Sequence, residues 1–474
     1  MRTAMNRRQL LRMLGATAAL SAGGGLAGCA ARGGKDADVI VLGAGISGLY
    51  SAMLLEEAGF RVLVVEADRR TGGRIFTLDT VDGRPEAGGF EVGPMYARVL
   101  AQVERFGLGL HGWLGESIRY ALHVGDRLMP ASAWSAAQEN RLAGEFRARP
   151  PFTLASALLP ESSPLPGLES WLEPEVASRW DRPYGDYLRE QGADEAALAL
   201  LSVGLAADEI DQMSLLWILR QQKVREFSRD AGRLQFIDGG MSRLVDAMQG
   251  SLHGDLELGC PVEAIGSDAQ GVEVRCGGGR RLRADFAVSS LPLTALRRIA
   301  VHPGLPERQR AAVENIPYGH GTSVFLPVRE PYWEEDGLPP SIWSDGMLPR
   351  VMKWQSQAGE YLWVYLSGIA NDFCRNNPDD VVLEKVMAEL YRIRPSMQGR
   401  VEPGAIMCWS KHPWLHGTFA YRGPGDVRRY GAAASTPHGR VHFAGEHTSV
   451  LSMGLEGAME SAERAAFEVL ERVS

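Results

Sequence analysis

The sequence predicts an α/β fold with two domains, one of which is discontinuous in the chain. Three observations support this prediction. A strand-like run at 38–42 leads into a glycine-rich turn, Gly43–Gly48; a second apolar run, Val62–Val65, ends on Glu66; and a strand–glycine–helix segment recurs near the C-terminus, at 440–458. A strand, a glycine turn that opens a helix and an acid about 20 residues later are typical of a Rossmann-type dinucleotide site.

The glycine-rich turn has the properties of a pyrophosphate site. Glycines let the backbone turn tightly and approach phosphate oxygens, and the helix predicted over Gly45–Ala58 directs its N-terminal dipole towards them. Glu66 follows where a carboxylate can bond ribose hydroxyls, which argues against a cofactor with a 2′-phosphate. The predicted dinucleotide contacts are Glu66 and, in the turn, Gly43, Gly45, Ile46, Ser47 and Gly48.

A second glycine-containing segment, 66–74, follows directly and carries Arg70, Gly73 and Arg74. Its glycines would let the backbone wrap a pyrophosphate, and its arginine would add a bidentate cation. A nicotinamide enzyme needs no second phosphate loop. Together these motifs resemble those of the flavin-dependent amine oxidase family, which includes monoamine, polyamine and L-amino-acid oxidases, and the resemblance runs from about Asp36 to the C-terminus. It implies that the cofactor is FAD.

The C-terminal and central segments strengthen this resemblance. In the family, the strand before the second glycine segment returns to the first domain, and the helix after it, predicted here over Ala458–Val473, closes over the flavin. The resemblance implies that Gly445 and Glu446 border the ribityl-diphosphate and that the Leu455 backbone meets the flavin, although Glu446 could instead be a helix-entry acid. It also implies that the Val262 backbone contacts the adenine.

These motifs predict a Rossmann-type FAD-binding domain with an α+β substrate domain inserted into it. The FAD-binding domain is expected to comprise 36–100, 229–300 and 430–474. The substrate domain is expected to comprise 101–228 and 301–429. Three pieces of the chain must therefore meet in one sheet.

Within the substrate domain, helices and a long loop are predicted. Helical periodicity suits an outer layer at Asp194–Ala206, Ser214–Arg225 and Val381–Arg394. The Pro- and Ser-rich stretch Arg149–Pro174 is predicted to be a loop, where a lid or an access channel would lie.

The resemblance also implies the chemistry. The expected reaction removes a hydride from the carbon that bears an amine, passes it to FAD and leaves an imine that water hydrolyses, by an oxidase or a dehydrogenase route. Gly88, Gly89 and Phe90 resemble the segment that passes over one face of the flavin, and Trp409 matches an aromatic neighbour of the ring. The alternative is that Trp409 is a core tryptophan. No metal is implied.

Two positions depart from the family near the flavin. Ser323 falls where the family has a lysine that holds a water against the ring, and a serine cannot supply a fixed cation. An envelope electron carrier is therefore an alternative to dioxygen as the acceptor, and nothing in the sequence shows that His320 or Lys353 replaces the lysine. Thr418 falls where monoamine oxidases carry a cysteine bonded to the flavin, so the FAD is expected to be non-covalent.

The predicted substrate pocket departs from the family as well. Two aromatic rings flank the substrate amine in the family; one maps onto Phe419 and the other onto Gly454, which leaves one wall open. Glu91 falls at about the position of the arginine that grips the substrate carboxylate in L-amino-acid oxidases. An acid cannot bind a carboxylate and would favour a second cationic group, unless an internal partner such as Arg98 takes it.

The N-terminus predicts export and lipid attachment. Arg7 and Arg8 form a twin-arginine pattern, and the apolar stretch Met13–Leu26, too short to span a bilayer, ends in a lipobox at Cys29. Residues 1–29 are thus predicted to be a Tat lipoprotein signal and 30–35 a tether. A flavoprotein that folds in the cytoplasm suits the Tat translocon, and the mature chain is expected on the periplasmic or cell-envelope side, anchored by lipid on Cys29. The alternative is a cleaved signal without lipid.

The composition limits the classes of partner that the chain can bind. The chain has 474 residues and a net charge of −8, and loss of residues 1–28 removes four arginines and no acid, which takes the charge to −12. This acidity argues against nucleic-acid binding. Besides an exported amine oxidoreductase, the sequence leaves open an L-amino-acid oxidase, a flavin-binding pseudoenzyme lipoprotein, and another FAD enzyme on the same scaffold, such as a desaturase.

Overall fold

The computed structural model describes residues 34–205, 207, 209–229 and 231–473. The predicted signal peptide 1–29, with Cys29, and residues 30–33 of the predicted tether lie outside the described residues. Within the described ranges, no helix has the length and hydropathy needed to cross a bilayer.

Three separate parts of the chain supply the parallel sheet of the nucleotide-binding domain. Val39–Leu42 lies in the middle and pairs in parallel with Val62–Val65 on one side and Phe286–Ser289 on the other. Val441–Phe443 and Asp255–Glu257 form the two edges. The three strands at the centre are buried along their whole length because both faces of the sheet are covered. The predicted discontinuous α/β fold is confirmed.

Helices cover one face of this sheet, and a second sheet covers the other. The helices that share a core with the first face are Ile46–Glu57, Ala97–Arg105, Ser242–Gly250 and Gly454–Val473. The second sheet has the strand order Arg281–Ala284, Val272–Cys276, Val262–Ser267 and Ala300–His302, and helix Glu307–Asn315 packs into the same core.

The predicted domain boundaries and the predicted start of the C-terminal helix differ from those in the structure. The domain boundaries at 100 and 300 fall inside helix Ala97–Arg105 and strand Ala300–His302, so the nucleotide-binding domain extends past both. The C-terminal helix begins at Gly454 rather than at Ala458, and its first turn already packs against the domain.

A seven-stranded sheet forms the wall of the substrate domain. Its order is Ala405–Cys408, Thr322–Pro327, Gly359–Leu366, Arg350–Ser356, Ser341–Ser344, Tyr120–Val124 and Arg127–Pro130. Alternate apolar side chains of these strands pack against helices Ile369–Asn376 and Asp379–Ile393. The opposite side chains, which include Ser323, Arg350 and Trp363, line a cavity.

Helices around a separate core form the rest of the substrate domain. They are Leu154–Leu158, Pro174–Trp180, Tyr184–Glu190, Glu195–Ser202 and Leu215–Arg229. Arg149–Pro174, predicted to be a loop at an access channel, is irregular at 159–169 but contains helix Leu154–Leu158 and two short 3₁₀ turns, and the access-channel part of the prediction was wrong. Five apolar side chains of this stretch are buried, which its proline and serine content concealed, and none of its residues lines the main cavity. The buried five are Pro151, Leu154, Leu158, Leu165 and Trp171.

Short elements connect these layers. Two small antiparallel pairs join Phe76–Thr77 with Glu86–Gly88 and Leu110–His111 with Phe236–Ile237. Three short helices span Leu293–Leu296, Trp333–Asp336 and Asp426–Tyr430. Short 3₁₀ turns occupy Ala131–Ala136, Gly144–Ala148, Pro151–Thr153, Ser170–Leu172, Ile210–Gln212, Gly277–Gly279, Pro395–Met397, Ala433–Ser435 and Glu446–Thr448.

Candidate active site

A cavity of about 1030 Å³ lies where the two domains meet. One end is lined by Gly43 and Glu66, which follow the carboxyl ends of parallel strands, where ligands bind in open α/β sheets. The other end is lined by the seven-stranded sheet. The predicted site residues that line the cavity are Gly43, Gly45, Ile46, Ser47, Glu66, Gly73, Arg74, Gly88, Gly89, Phe90, Glu91, Val262, Ser323, Trp409, Phe419, Glu446 and Leu455.

The glycine turn leaves a gap of the kind a cofactor fills. A Cβ added at Gly45 would meet no atom within 4 Å, although Gly45 lines the cavity. Gly48 is different, because a Cβ there would lie 1.9 Å from the carbonyl oxygen of Gly43. Gly48 does not line the cavity and closes the turn from behind, which corrects its predicted role as a dinucleotide contact. The N–H groups of the first turn of helix Ile46–Glu57 suit an anion.

Glu66 is held rigidly at the end of its strand. Its Oε2 accepts a hydrogen bond from the Ala44 N–H at 2.7 Å, and its Oε1 accepts one from the Asp68 N–H at 2.8 Å. Burial raises the pKa of this carboxyl, and the two backbone bonds oppose that shift. A carboxylate with two donors still has free lone pairs, so Glu66 can accept bonds from ribose hydroxyls.

In the second glycine loop, the two arginines have different roles. Arg70 does not line the cavity; its guanidinium donates to the carbonyls of Thr71, Gly73 and Ile75 and braces the loop, which corrects the predicted phosphate contact. Arg74 lines the cavity, donates to the Thr418 carbonyl at 2.5 Å and pairs with Glu446 at 3.2 Å.

Gly445 and Glu446 also have different roles. The Gly445 N–H donates to Ser461 at 2.8 Å, and a Cβ at Gly445 would lie 2.5 Å from the His447 ring, so this glycine is structural and does not line the cavity as predicted. Glu446 Oε1 accepts from the Ala420 N–H, but its buried Oε2 has no partner among the described residues. An orphaned buried oxygen at a cavity suits a ligand hydroxyl.

Close packing shapes the floor of the cavity. A Cβ at Gly88 would lie 2.4 Å from the Arg74 carbonyl oxygen and 3.3 Å from the Trp409 ring. The Trp409 indole N–H donates to the Ala87 carbonyl at 3.0 Å, so this buried ring is fixed and still lines the cavity. In the nucleotide-binding domain, a slot of the cavity is lined by Val262, Pro261, Leu291, Pro292, Ala295 and Ile299, with Glu263, Ser290 and Arg298 next to them in the chain.

Aromatic side chains on the seven-stranded sheet make up a wall that sequence reasoning missed. The Phe90 ring packs edge-on against Trp354 and Trp363, with centroids 5.6 and 5.3 Å apart. Tyr365 lines the same wall. The period-two pattern in Arg350–Ser356 and Gly359–Leu366 could have indicated it, because alternate residues of a strand share a face.

No lysine of the described residues lines the cavity. Ser323 lines the cavity, and its Oγ accepts a hydrogen bond from the Trp363 indole at 3.0 Å. Lys353 lies elsewhere and pairs with Glu360 at 2.7 Å, while His320 contacts Ser410 and lines a smaller cavity. Neither side chain replaces the missing lysine. Arg350 does line the main cavity. It pairs with Tyr365 of the neighbouring strand, and Tyr365 pairs with Ser323 of the next strand.

Phe419, Gly454 and Glu91 line the cavity, and their contact with a substrate stays a prediction. Phe419 is 43% exposed. Arg98, the possible internal partner of Glu91, forms ion pairs with Glu456 and Glu463 instead. Glu91 forms no hydrogen bond or ion pair within the described part of the chain, and burial raises the pKa of its carboxyl.

Comparison with known proteins identifies the family. A family model of flavin-containing amine oxidoreductases matches residues 46–470. The chain belongs to this family. It is an enzyme of the oxidoreductase class, and its cofactor is FAD.

The similar proteins are named as oxidases of different amines and of an amino acid. The chain is 26% identical to amine oxidase [flavin-containing] A of Bos taurus over 91% of this chain and 85% of the relative. It is 27% identical to the flavin-dependent L-tryptophan oxidase RebO of Lentzea aerocolonigenes over 90% and 96%. Cyclohexylamine oxidase from Brevibacterium oxydans IH-35A superposes with a TM-score of 0.77 at 24% identity, covering 92% of this chain and 99% of that one. These last figures establish the shared fold.

The residues present fit FAD. Ile46 and Ser47 at the helix start suit the pyrophosphate, Glu66 and Glu446 present acceptors for hydroxyls, and the slot at Val262 suits a planar base. Within the described ranges, no group of three or more His, Cys, Asp or Glu side chains is arranged to hold a metal ion.

Two glycine variants separate cofactor binding from folding. Gly45→Val should give a folded, soluble, colourless protein, because its side chain enters the space that the pyrophosphate needs. Gly48→Ala should lower the melting temperature instead, because its methyl group collides with the Gly43 carbonyl. Flavin absorbance and thermal unfolding distinguish the two; FAD bound normally by the Gly45→Val protein would contradict this assignment.

Proposed function

We propose that this FAD enzyme oxidises the C–N bond of an amine in the cavity between its two domains. The observation that supports this most is the continuity of that cavity: the phosphate turn with Glu66 and the aromatic wall with Trp409 and Phe419 line one space. FAD, when bound, supplies the acceptor for the hydride of the carbon that bears the nitrogen. Water then hydrolyses the imine.

The protein side chains orient the substrate and control its protonation state. Trp409 and the Phe90–Trp354–Trp363 cluster give an apolar, rigid surface that excludes water and favours the neutral amine. Thr418 carries no thiol, and its hydroxyl donates to the Gly319 carbonyl at 2.9 Å. We therefore propose that the FAD is bound without a covalent link.

Anaerobic reduction of the bound flavin tests this function. The purified chain should be yellow, should release unmodified FAD on denaturation, and should lose its visible flavin absorbance when mixed with an amine without dioxygen. A panel of aliphatic, aromatic and polyamines is the measurement. A chain that binds FAD and is bleached by no amine or amino acid would be a pseudoenzyme, and the proposal would fail.

The nature of the electron acceptor is inferred from Ser323. With no lysine at this position, reoxidation by dioxygen is expected to be slow, and a quinone or a cytochrome of the cell envelope would serve better. Ser323→Lys should speed reoxidation of the reduced enzyme by dioxygen at least about tenfold, because it adds a fixed positive charge in the cavity. Stopped-flow reoxidation measures this rate.

Ser323→Ala is the matched control, since it removes the acceptor of the Trp363 indole bond without adding a charge. It should leave the rate nearly unchanged. Fast peroxide production by the unmodified enzyme would show that the lysine is not needed here.

Oxidation of an L-amino acid is the second candidate function, and Arg350 favours it. Its guanidinium lines the cavity and has no hydrogen bond or ion pair within the described ranges. A bidentate guanidinium suits a carboxylate. Each amino acid in the panel should therefore be paired with its decarboxylated amine, and a preference for the acids that Arg350→Met abolishes would select this second function.

We also infer from the N-terminal sequence that the enzyme is exported folded by the Tat translocon and anchored by lipid on Cys29. The basis is the Arg7-Arg8 pair, the short apolar stretch and the lipobox. Folding around FAD before export gives this route a physical reason. The active site would then face the cell envelope, where a membrane electron carrier is within reach.

Export can be tested with charge-conserving variants. Arg7→Lys with Arg8→Lys should leave a cytoplasmic precursor, whereas Arg2→Lys with Arg12→Lys, the control in the same segment, should be exported. Cys29→Ala should be exported but not membrane-bound. Fractionation and mass measurement of the mature N-terminus give the result, and normal export of the first pair would rule out the Tat route.

A further inference from the structure

We propose that the smaller cavity, of about 310 Å³, binds a small oxyanion, a phosphate or a carboxylate, and that the bound anion slows the release of FAD from the main cavity. The proposed function does not use this cavity. No acidic side chain of the described residues lines it, although the whole chain has a net charge of −8. Two arginines, two histidines and two tyrosines do line it: Arg297, Arg298, His320, His416, Tyr318 and Tyr421.

Arg297 is a fixed cation without a counter-charge. Its Nε donates a hydrogen bond to the Val313 carbonyl at 2.7 Å, and its Nη2 donates one to the Ile316 carbonyl. These two bonds hold the guanidinium in place, and Nη1 has no hydrogen-bond partner in the described ranges. Burial lowers the pKa of Arg297, and no carboxylate of the described residues opposes that shift. A cation in such a place gains free energy when an anion binds to it.

A histidine holds Arg298 at the boundary between the two cavities. Arg298 Nη1 donates a hydrogen bond to His416 Nε2 at 2.7 Å, so the ring accepts at this nitrogen. Burial, and next the charge of Arg298, lower the pKa of His416, which keeps the ring neutral. Arg298 forms no ion pair within the described part of the chain. Its other N–H groups are therefore free to bind an anion.

The buried hydroxyl of Tyr318 provides a third donor. Tyr318 is 4% exposed, and its hydroxyl oxygen accepts a hydrogen bond from the Leu293 N–H at 3.0 Å. The proton of this hydroxyl has no acceptor among the described residues, although the side chain lines the cavity. Burial raises the pKa of Tyr318, so the phenol keeps its proton and can donate it in a hydrogen bond. A buried hydroxyl with an unused proton suits a ligand oxygen.

These donors select the chemical class of the ligand. A phosphate or a carboxylate carries negative charge and several acceptor oxygens, and a planar guanidinium can bind two of these oxygens at once. The two positive charges exclude a cationic ligand. Since a water molecule takes about 30 Å³ in the liquid, the cavity has room for such an ion together with bridging waters.

A shared wall connects this site to the cofactor. Arg298 and His416 line both cavities, and Arg298 adjoins Ile299 in the slot at Val262. An anion bound to Arg298 would restrict the movement of this wall, so FAD should leave the slot more slowly. Because coupling between two ligands is reciprocal, FAD should in turn strengthen binding of the anion.

Calorimetric titration of the FAD-loaded chain tests the anion site. The probes are inorganic phosphate and citrate, added at constant ionic strength to protein in a chloride buffer without other oxyanions. FAD fills the phosphate turn of the main cavity, so this turn cannot take up a probe. The unmodified chain should bind one probe ion per chain and gain thermal stability, whereas chloride should give neither effect. The lower of the two dissociation constants shows whether phosphate or carboxylate groups suit the site better.

The variants separate the charge of the site from its structure. Arg298→Gln should weaken binding of the probes at least about tenfold, whereas Arg298→Lys, which keeps the charge, should stay within about threefold. Tyr318→Phe removes one donor and should weaken binding about threefold or more. The control, Arg141→Gln with Arg149→Gln, removes two exposed charges that line neither cavity and should bind like the unmodified chain.

Release of FAD tests the coupling. After dilution, the rise of free-flavin fluorescence should be about threefold slower in saturating phosphate for the unmodified chain, and phosphate should have no effect on Arg298→Gln. Absence of saturable binding of both probes, or binding that Arg298→Gln leaves unchanged, would overturn the anion site. A release rate that bound phosphate does not alter would overturn the coupling to FAD.

Discussion

Parallel pairing of strands from distant parts of the chain is the constraint on which this structure depends. Val39–Leu42 pairs with Phe286–Ser289, and just beyond that pair the Ser290 hydroxyl contacts the carbonyls of Leu42 at 2.8 Å and Gly43 at 3.0 Å. This contact joins the phosphate turn to a segment far along the chain. Because parallel strands end at the same edge, Gly43 and Glu66 then face one cavity. The seven-stranded sheet of the substrate domain lines the other end of that cavity.

The nucleotide half of the site could be predicted because its signals are local. Gly45, Glu66 and Arg74 lie in short motifs whose spacing follows from a strand, a tight turn and a helix. The wrong predictions in this half concern which side of a turn a residue faces. Arg70, Gly48 and Gly445 are in the motifs, but they brace backbone instead of facing the ligand. Spacing places a residue in a turn, and only packing decides which side of the turn it serves.

The substrate half could be predicted less well because its contacts are long-range. Phe419 and Gly454, which the resemblance indicated, both line the cavity, and their place beside a substrate amine stays a prediction. The position of Tyr96 beside Gly454 could not be predicted, because long-range bonds from Glu456 to the amides of Arg98 and Val99 hold the two segments together. Likewise, the aromatic face of the seven-stranded sheet depends on strand register, which sequence alone leaves open.

The charges in the cavity divide into two groups. At the cofactor end, Arg74 and Glu446 pair with each other, and Glu66 is tied to two amides. These contacts fix the two carboxylates in place, and the unpartnered Oε2 of Glu446 stays open to a ligand hydroxyl. At the substrate end, Glu91 and Arg350 line the cavity with no ion pair in the described ranges. Since an unpaired charge in a partly buried place costs free energy, the substrate end is the part of the cavity that gains most when a charged ligand enters. We therefore propose that substrate choice depends on which of these two charges, Glu91 or Arg350, the substrate pairs with.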